Sequence, residues 1–220
     1  MKVLIFSDTH LTSWFEKKKF QYLQRIISSA DRVIINGDLW DGFLISFQDF
    51  YQSEWKKLFP LLKQKDTIYL FGNHDEQHLN NLKLLGEFSQ KTAQTYSFQD
   101  SGIQYIIEHG HRIFPTELGC ENVESKIFRS KVMLWGMAEK LLACIFGQSY
   151  QILLKKNNTI LKKSYTYTSP EKIFHIFGHT HCSEVDSQKN FINTGIIRHG
   201  LGQYMMIENG KVSIVNERYN

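Results

Sequence analysis

The chain has 220 residues, 42% hydrophobic and 22% charged, with a formal charge of +4 at pH 7. That length supports one full core, or one core with a sizeable insertion, and the ordinary composition excludes a disordered polymer. The mild positive balance suits an anionic substrate but falls short of a dedicated nucleic-acid footprint, and the lysines at 17–19, 56–65 and 155–163 read as solvated helix faces and loop tips. Cys120, Cys144 and Cys182 are widely spaced, with no C-x-x-C, which excludes a disulfide framework and fits a reducing compartment. The opening run Val3 to Phe6 is too short for a secretory signal, and no uncharged apolar stretch reaches the ~18–20 residues of a spanning helix. A cytoplasmic protein is expected.

In chain order, short β-branched or aromatic runs end in glycine or a polar break: Lys2–Phe6, Arg32–Ile35, Thr67–Phe71, Gln104–Ile107 and Lys172–Phe177. Between the first three lie helical spacings, Phe20, Leu23, Ile26 and Ile27, then Phe50, Trp55, Leu58 and Leu62. Such alternation implies βαβ units and a largely parallel, buried sheet. After residue 90 the rhythm changes. Ala93–Phe98 and Ile103–Ile107 flank Asp100-Ser101-Gly102, a hairpin signal, and residues 191–216 read as strand, Asn209-Gly210 turn, strand. From Arg112 to Pro170 the pattern is helical, with Ile127, Leu134, Leu141 and Phe128, Trp135, Leu142 recurring on one face and Gly147 as a stop. This stretch, about 112–170, is expected as an insertion in a single domain spanning 1–220, since no repeat or linker divides the chain.

The residues just past each strand carry the chemistry. The five runs lead into Asp8-Thr9-His10, Gly37-Asp38-Leu39-Trp40-Asp41, Gly72-Asn73-His74-Asp75, Glu108-His109-Gly110-His111 and Gly178-His179-Thr180-His181. Carboxylates, imidazoles and an amide thus gather at C-terminal strand ends, where open α/β sheets bind ligands. In extended backbone, residues i and i+2 point the same way, so Asp8 with His10, and His179 with His181, can converge. Imidazole and oxygen donors without thiolate suit manganese, with iron or zinc as alternatives. Turns explain aspartate, asparagine and glycine at these places, but not histidine.

The ordered series D-x-H, G-D-x-x-D, G-N-H-D, H-G-H and G-H-x-H, over residues 8 to 181, resembles the calcineurin-like metallophosphoesterase superfamily. The resemblance implies a four-layer αββα sandwich of two mixed sheets, with the helical insertion over its edge, and two divalent metal ions. Asp8, His10 and His181 would hold one ion, Asn73, His109 and His179 the other, and Asp38 would bridge them. A hydroxide between the ions would attack phosphorus. His74 would be the general acid and Asp41 its orienting partner, although Asp75 could take that place and Asp41 could instead cap a helix. His111 and Asn193 are candidate substrate contacts, each with a plain turn role as the competing reading.

The resemblance leaves the substrate open. It is a phosphomonoester, phosphodiester or pyrophosphate, and a helical insertion after the H-G-x block is similar to that of UDP-2,3-diacylglucosamine hydrolases. In those enzymes the insertion is a lid for lipid chains, which suggests a lipid-linked or nucleotide-sugar substrate. In this chain Val132, Met133, Trp135, Met137, Leu141, Ala143, Ile145 and Phe146 spread over more than one narrow face, a pattern suited to acyl chains or a shallow peripheral membrane contact, with a hairpin packed on the sheet edge as the plainer reading. His74 stands where many of them have arginine. Gly42 stands where serine/threonine protein phosphatases carry a phosphate-gripping arginine, which argues against that activity. A nuclease or nucleotide phosphodiesterase is the alternative enzyme, and an inactive scaffold the alternative class. Filled ligand positions argue against the scaffold. Nothing in the pattern speaks to oligomeric state.

Overall fold

The computed structural model describes residues 1–115, 125–164 and 173–219. Strands β1 (Lys2–Phe6), β2 (Arg32–Asn36), β3 (Ile68–Leu70) and β4 (Lys91–Ala93) pair in that order, all parallel. The first two are nearly unbroken runs of buried apolar residues, because both of their faces are covered. Helix α1 (Lys17–Ser28) joins them and buries Tyr22, Leu23, Ile26 and Ile27. The second helical spacing is not one helix. Ser46 and Asp49 form a capping box that starts α2 (Phe47–Gln52), Ser53 ends it and caps a 3₁₀ turn, and Pro60 opens α3 (Phe59–Gln64). A one-turn helix, α4 (Leu82–Leu85), precedes β4.

Not every lysine is solvated. Lys19 is 1% exposed, its ammonium donates to the Thr9 carbonyl, and burial lowers its pKa to about 8. Lys162 is tied to Glu184 and Asp186, at 2.8 and 2.9 Å.

The expected strand Ala93–Phe98 is two strands. Ala93 pairs with Leu70 in the first sheet, whereas β5 (Thr95–Asp100) opens a second sheet with β6 (Ile103–Glu108). Ser101 and Gly102, at φ 51° and 78°, make the left-handed turn this hairpin needs. The second sheet continues with β7 (Ile173–Phe177), β8 (Glu184–Asp186) and β9 (Phe191–Asn193) in the order β5-β6-β7-β9-β8, with parallel and antiparallel pairs mixed. The chain then crosses back. Gly195, at φ 76°, makes the crossing where any side chain would collide with Gln203. Three strands, β10 (Ile197–Arg198), β11 (Leu201–Glu208) and β12 (Lys211–Arg218), return to the first sheet, with β11 antiparallel beside β1.

Val3, Ile5, Ile34 and Leu70 of the first sheet meet Tyr105, Ile107, Ile176 and Ile192 of the second in the core between them. Leu4, Phe6, Val33 and Ile35 pack outward against the helices. The far layer comes from the insertion, which consists of α5 (Lys126–Phe146), a 3₁₀ segment Gly147–Leu154 and α6 (Lys155–Ser164). Leu161 of α6 packs on Phe177 and Phe191. The result is the expected α/β sandwich of two mixed sheets with helices.

Helix α5 splits the face on which Ile127, Leu134, Leu141 and Phe128, Trp135, Leu142 recur. It buries Phe128, Val132, Glu139 and Ala143, while Ile127, Leu134, Leu141 and Trp135 are exposed. Cys144 and Cys182 are free thiols, and burial pushes the Cys182 thiol up to about 11. Cys120, residues 116–124 and 165–170 of the expected insertion, and Lys172 of the expected strand lie outside the described residues. No helix among the described residues is long and apolar enough to cross a membrane.

Candidate metal centre

All seven expected ligands come from loops at the ends of β1, β2, β3, β6 and β7. Extended backbone is not what makes them converge. Asp8, His10, Asp38, His179 and His181 all adopt left-handed φ values of 53°, 43°, 54°, 67° and 57°. Residues held there cost of order 1–3 kcal/mol each and concentrate where a site demands them. The loops also meet with no room to spare, since a side chain on Gly72 would collide with Asp38 and one on Gly178 with Ser7 and Asp8.

Asp8 is fully buried and its Oδ1 has no hydrogen-bond partner. That oxygen lies 3.4 Å from His181 Nε2, 3.9 Å from His10 Nε2 and 4.0 Å from His109 Nε2. His10 and His181 bring their Nε2 atoms within 3.1 Å of each other. Asp38 Oδ2 is 3.2 Å from His109 Nε2 and 3.8 Å from His10 Nε2, so one carboxylate faces both groups. Asn73 Oδ1 is 3.2 Å from His109 Nε2. His179 sits with its ring 5.2 Å from that of His109, and its Nε2 is 2.8 Å from the Phe114 carbonyl, leaving Nδ1 for any ligand role. An unpartnered buried carboxylate oxygen among three imidazole nitrogens fits a divalent cation of borderline softness.

The local field is strong. Burial opposes protonation of His109, but Asp38 and Asp8 outweigh it and raise the pKa to about 9. Burial likewise opposes protonation of His181, which Glu139 and Asp8 raise to about 10. His179 is pushed down to about 3 by burial and by neighbouring His109.

Between His74 Nδ1 and Asp41 Oδ1 the distance is 2.8 Å. Desolvation lowers the His74 pKa, but Asp41 and Asp38 reverse that and raise it. Asp75 is not its partner. Its carboxylate accepts from the backbone of Asp38, Leu39 and Gly72 and from the Tyr69 hydroxyl, which fixes two ligand loops together. Gly42 packs so closely on the His74 carbonyl that no side chain fits there, an arginine least of all.

Two expected substrate contacts are placed otherwise. Asn193 is fully buried, and its amide donates to Gly178 O and Thr180 Oγ1 at 2.7 and 3.0 Å while its oxygen accepts from Gly195. It braces the loop of His179 and His181 and has no group left for a ligand. His111 stays near the centre, its ring 5.4 Å from that of His109, but its Nε2 is 2.8 Å from Glu76 and its side chain does not line the cavity.

Four residues beyond the motif blocks support the site. Glu139 of α5, 3% exposed, lies 2.7 Å from His181 Nδ1 and 3.1 Å from Arg198. Gln151 donates to the His181 carbonyl at 2.7 Å, and Asn158 to that of Cys182 at 2.9 Å. Glu139 did carry a signal. It is the lone acid of the helical stretch 126–164, spaced with Phe128, Val132 and Ala143 on one stripe, and a carboxylate on an apolar stripe implies a buried partner. A cavity of about 160 Å³ opens over the centre, lined by His10, Asp38, Asn73 and His74, by Arg198, and by Val132, Trp135 and Leu154 of the insertion.

The family model for calcineurin-like phosphoesterases matches residues 1–183. This chain belongs to that family. The calcineurin-like phosphoesterases imply divalent metal ions, and the residues gathered here are chemically suited to them. Among solved structures, the chain is similar to the YfcE phosphoesterase of E. coli, at 14% identity, TM-score 0.52 and full coverage of both chains. It is also similar to Vps29 of Entamoeba histolytica complexed with zinc, at 15% identity, TM-score 0.46 and full coverage of both. A metallophosphoesterase from Sphaerobacter thermophilus matches at 15% identity and TM-score 0.44, covering all of this chain and 90% of that one. No curated protein matches the chain.

Proposed function

We propose that this chain is a two-metal phosphoesterase whose substrate carries an apolar group beside the phosphate. Asp8, His10 and His181 would hold one cation, Asn73, His109 and His179 the other, and Asp38 would bridge them. The observation that carries the reading is the unpartnered Asp8 oxygen with three imidazole nitrogens within 4.0 Å of it. Bound there, two cations would lower the pKa of a water nucleophile and draw charge from the phosphoryl oxygens. The protein's own part is orientation and proton transfer. Asp41 occupies His74 Nδ1, so Nε2 is the nitrogen free to donate to the departing oxygen. Arg198, held by Glu139, brings a guanidinium to the cavity wall, where a phosphate would meet it.

Support for the apolar group comes from the insertion. Val132, Trp135 and Leu154 form one wall of the same cavity that His10, Asp38 and His74 close on the other. A lipid-linked or nucleotide-sugar phosphoester answers both walls, whereas a nucleic acid leaves the apolar wall unmatched. Manganese-loaded protein assayed on a lipid-linked pyrophosphate ester and on single-stranded DNA separates the two. Detergent-dependent hydrolysis of the lipid substrate is the expected result. Preferential DNA cleavage with a steep salt dependence would overturn the substrate assignment while leaving the metal centre standing.

A further inference from the structure

The insertion exposes an apolar surface that its fold does not need. Ile127, Leu134, Leu141 and Ile145 of α5 are 71, 65, 60 and 62% exposed. Their spacing puts them on one stripe, opposite the buried stripe of Phe128, Val132, Glu139 and Ala143. Phe146, Ile152 and Leu153 extend the apolar surface through the next turn at 57, 73 and 68% exposure. No described residue covers the stripe. A monomer rarely leaves a contiguous apolar surface of this kind without an occupant.

Charge selects the occupant. Residues 126–164 carry eight lysine or arginine side chains and a single acid, Glu139, which is buried. At about 100° per residue, Lys126 and Lys131 border the α5 stripe on its two sides. Exposed Trp14 shares a groove with Lys140 and Cys144 of the same helix, which adds an aromatic anchor beside it. A second copy packed symmetrically on this face would set lysines against lysines, with no exposed acid of these helices to offset them.

We propose that the outer face of α5 and the turn after it dock on an anionic lipid bilayer, with the helix lying in the plane of the interface. Apolar side chains enter the acyl boundary while the bordering lysines extend their stems upward to the phosphates. The inner face of the same helix walls the cavity through Val132 and Trp135, so docking would set the cavity close to the lipid surface. The docking surface is the outer face alone, whichever ester the cavity accepts.

Sedimentation of the full chain with vesicles tests it. The vesicles are phosphatidylcholine alone, or phosphatidylcholine with roughly 30% phosphatidylglycerol to supply negative surface charge. The expected result is binding at least about tenfold tighter to the anionic vesicles, weakened by salt and lost by about tenfold in Leu134→Asp with Leu141→Asp. An unchanged melting curve shows that this exposed double variant still folds. Lys126→Glu with Lys131→Glu should weaken the anionic-vesicle binding alone. Absence of binding to both vesicles, or binding indifferent to all four substitutions, overturns the proposal. So does a dimer in light scattering that the leucine substitutions dissolve, which would give the face to a second copy.

Discussion

His74 is held as a proton donor must be. Its ring lies edge-on to His10 at 4.4 Å and against Phe43 at 4.0 Å, with Asp41 on Nδ1. His74→Ala should keep its metals and lose about 10²–10⁴-fold in rate on esters with poor leaving groups, and far less on activated ones. Equal loss on both classes, measured as kcat, would remove the acid role. Glu139 acts one step further out. Its carboxylate sets the orientation of His181, so Glu139→Gln should weaken metal binding by about 10–100-fold in a chelator competition, with the melting curve little changed. Neither Glu139 nor Arg198 belongs to a motif block. Forty-two residues separate Glu139 from His181, a distance only the folded chain closes.

The elements show how the insertion supports the centre. Asn158 of α6 donates to Cys182 O and Glu184 Oε2, at 2.9 and 2.8 Å, and accepts from Thr180 at 2.6 Å. Asn158→Ala takes a partner from each of these groups and should cost about 2–4 kcal/mol, read from urea unfolding. A loss below ~0.5 kcal/mol would show that the insertion merely rests on the sheet. Strand β7 carries a pH-sensitive residue. Burial pushes His175 down from 6.5 to about 4. The unfolded chain takes up that proton near the ordinary value, and the folded chain only near the lower one. Between the two values the unfolded state binds more protons, so stability falls as pH drops through this window. His175→Leu should therefore gain on the wild type between pH ~7 and ~5, in urea midpoints; a constant difference would contradict this. The helical period of α5 was legible, but two stripes satisfied it. Which one faces inward depends on the strands it meets, and the lone acid marked the right one.

At the scale of the molecule, the βαβ rhythm and the five motif blocks were readable because each block ends a buried strand and histidine has no other reason to be there. Two features were not. The chain passes between sheets at Gln94 and at Gly195, inside stretches that read as continuous β, because local pattern does not say which sheet a strand joins. The left-handed backbone at five expected ligands was hidden too, since motif spacing fixes residue types and not φ. Both devices serve one end, bringing loops from two facing sheets onto a single point. Diffraction from crystals soaked in Mn²⁺, phased on the metal's anomalous signal, tests that end most directly. Two peaks about 3.5–4 Å apart are expected, one beside Asp8, His10 and His181, the other beside Asn73, His109 and His179, with Asp38 touching both. No peak at this point, or manganese bound only elsewhere, would contradict the account.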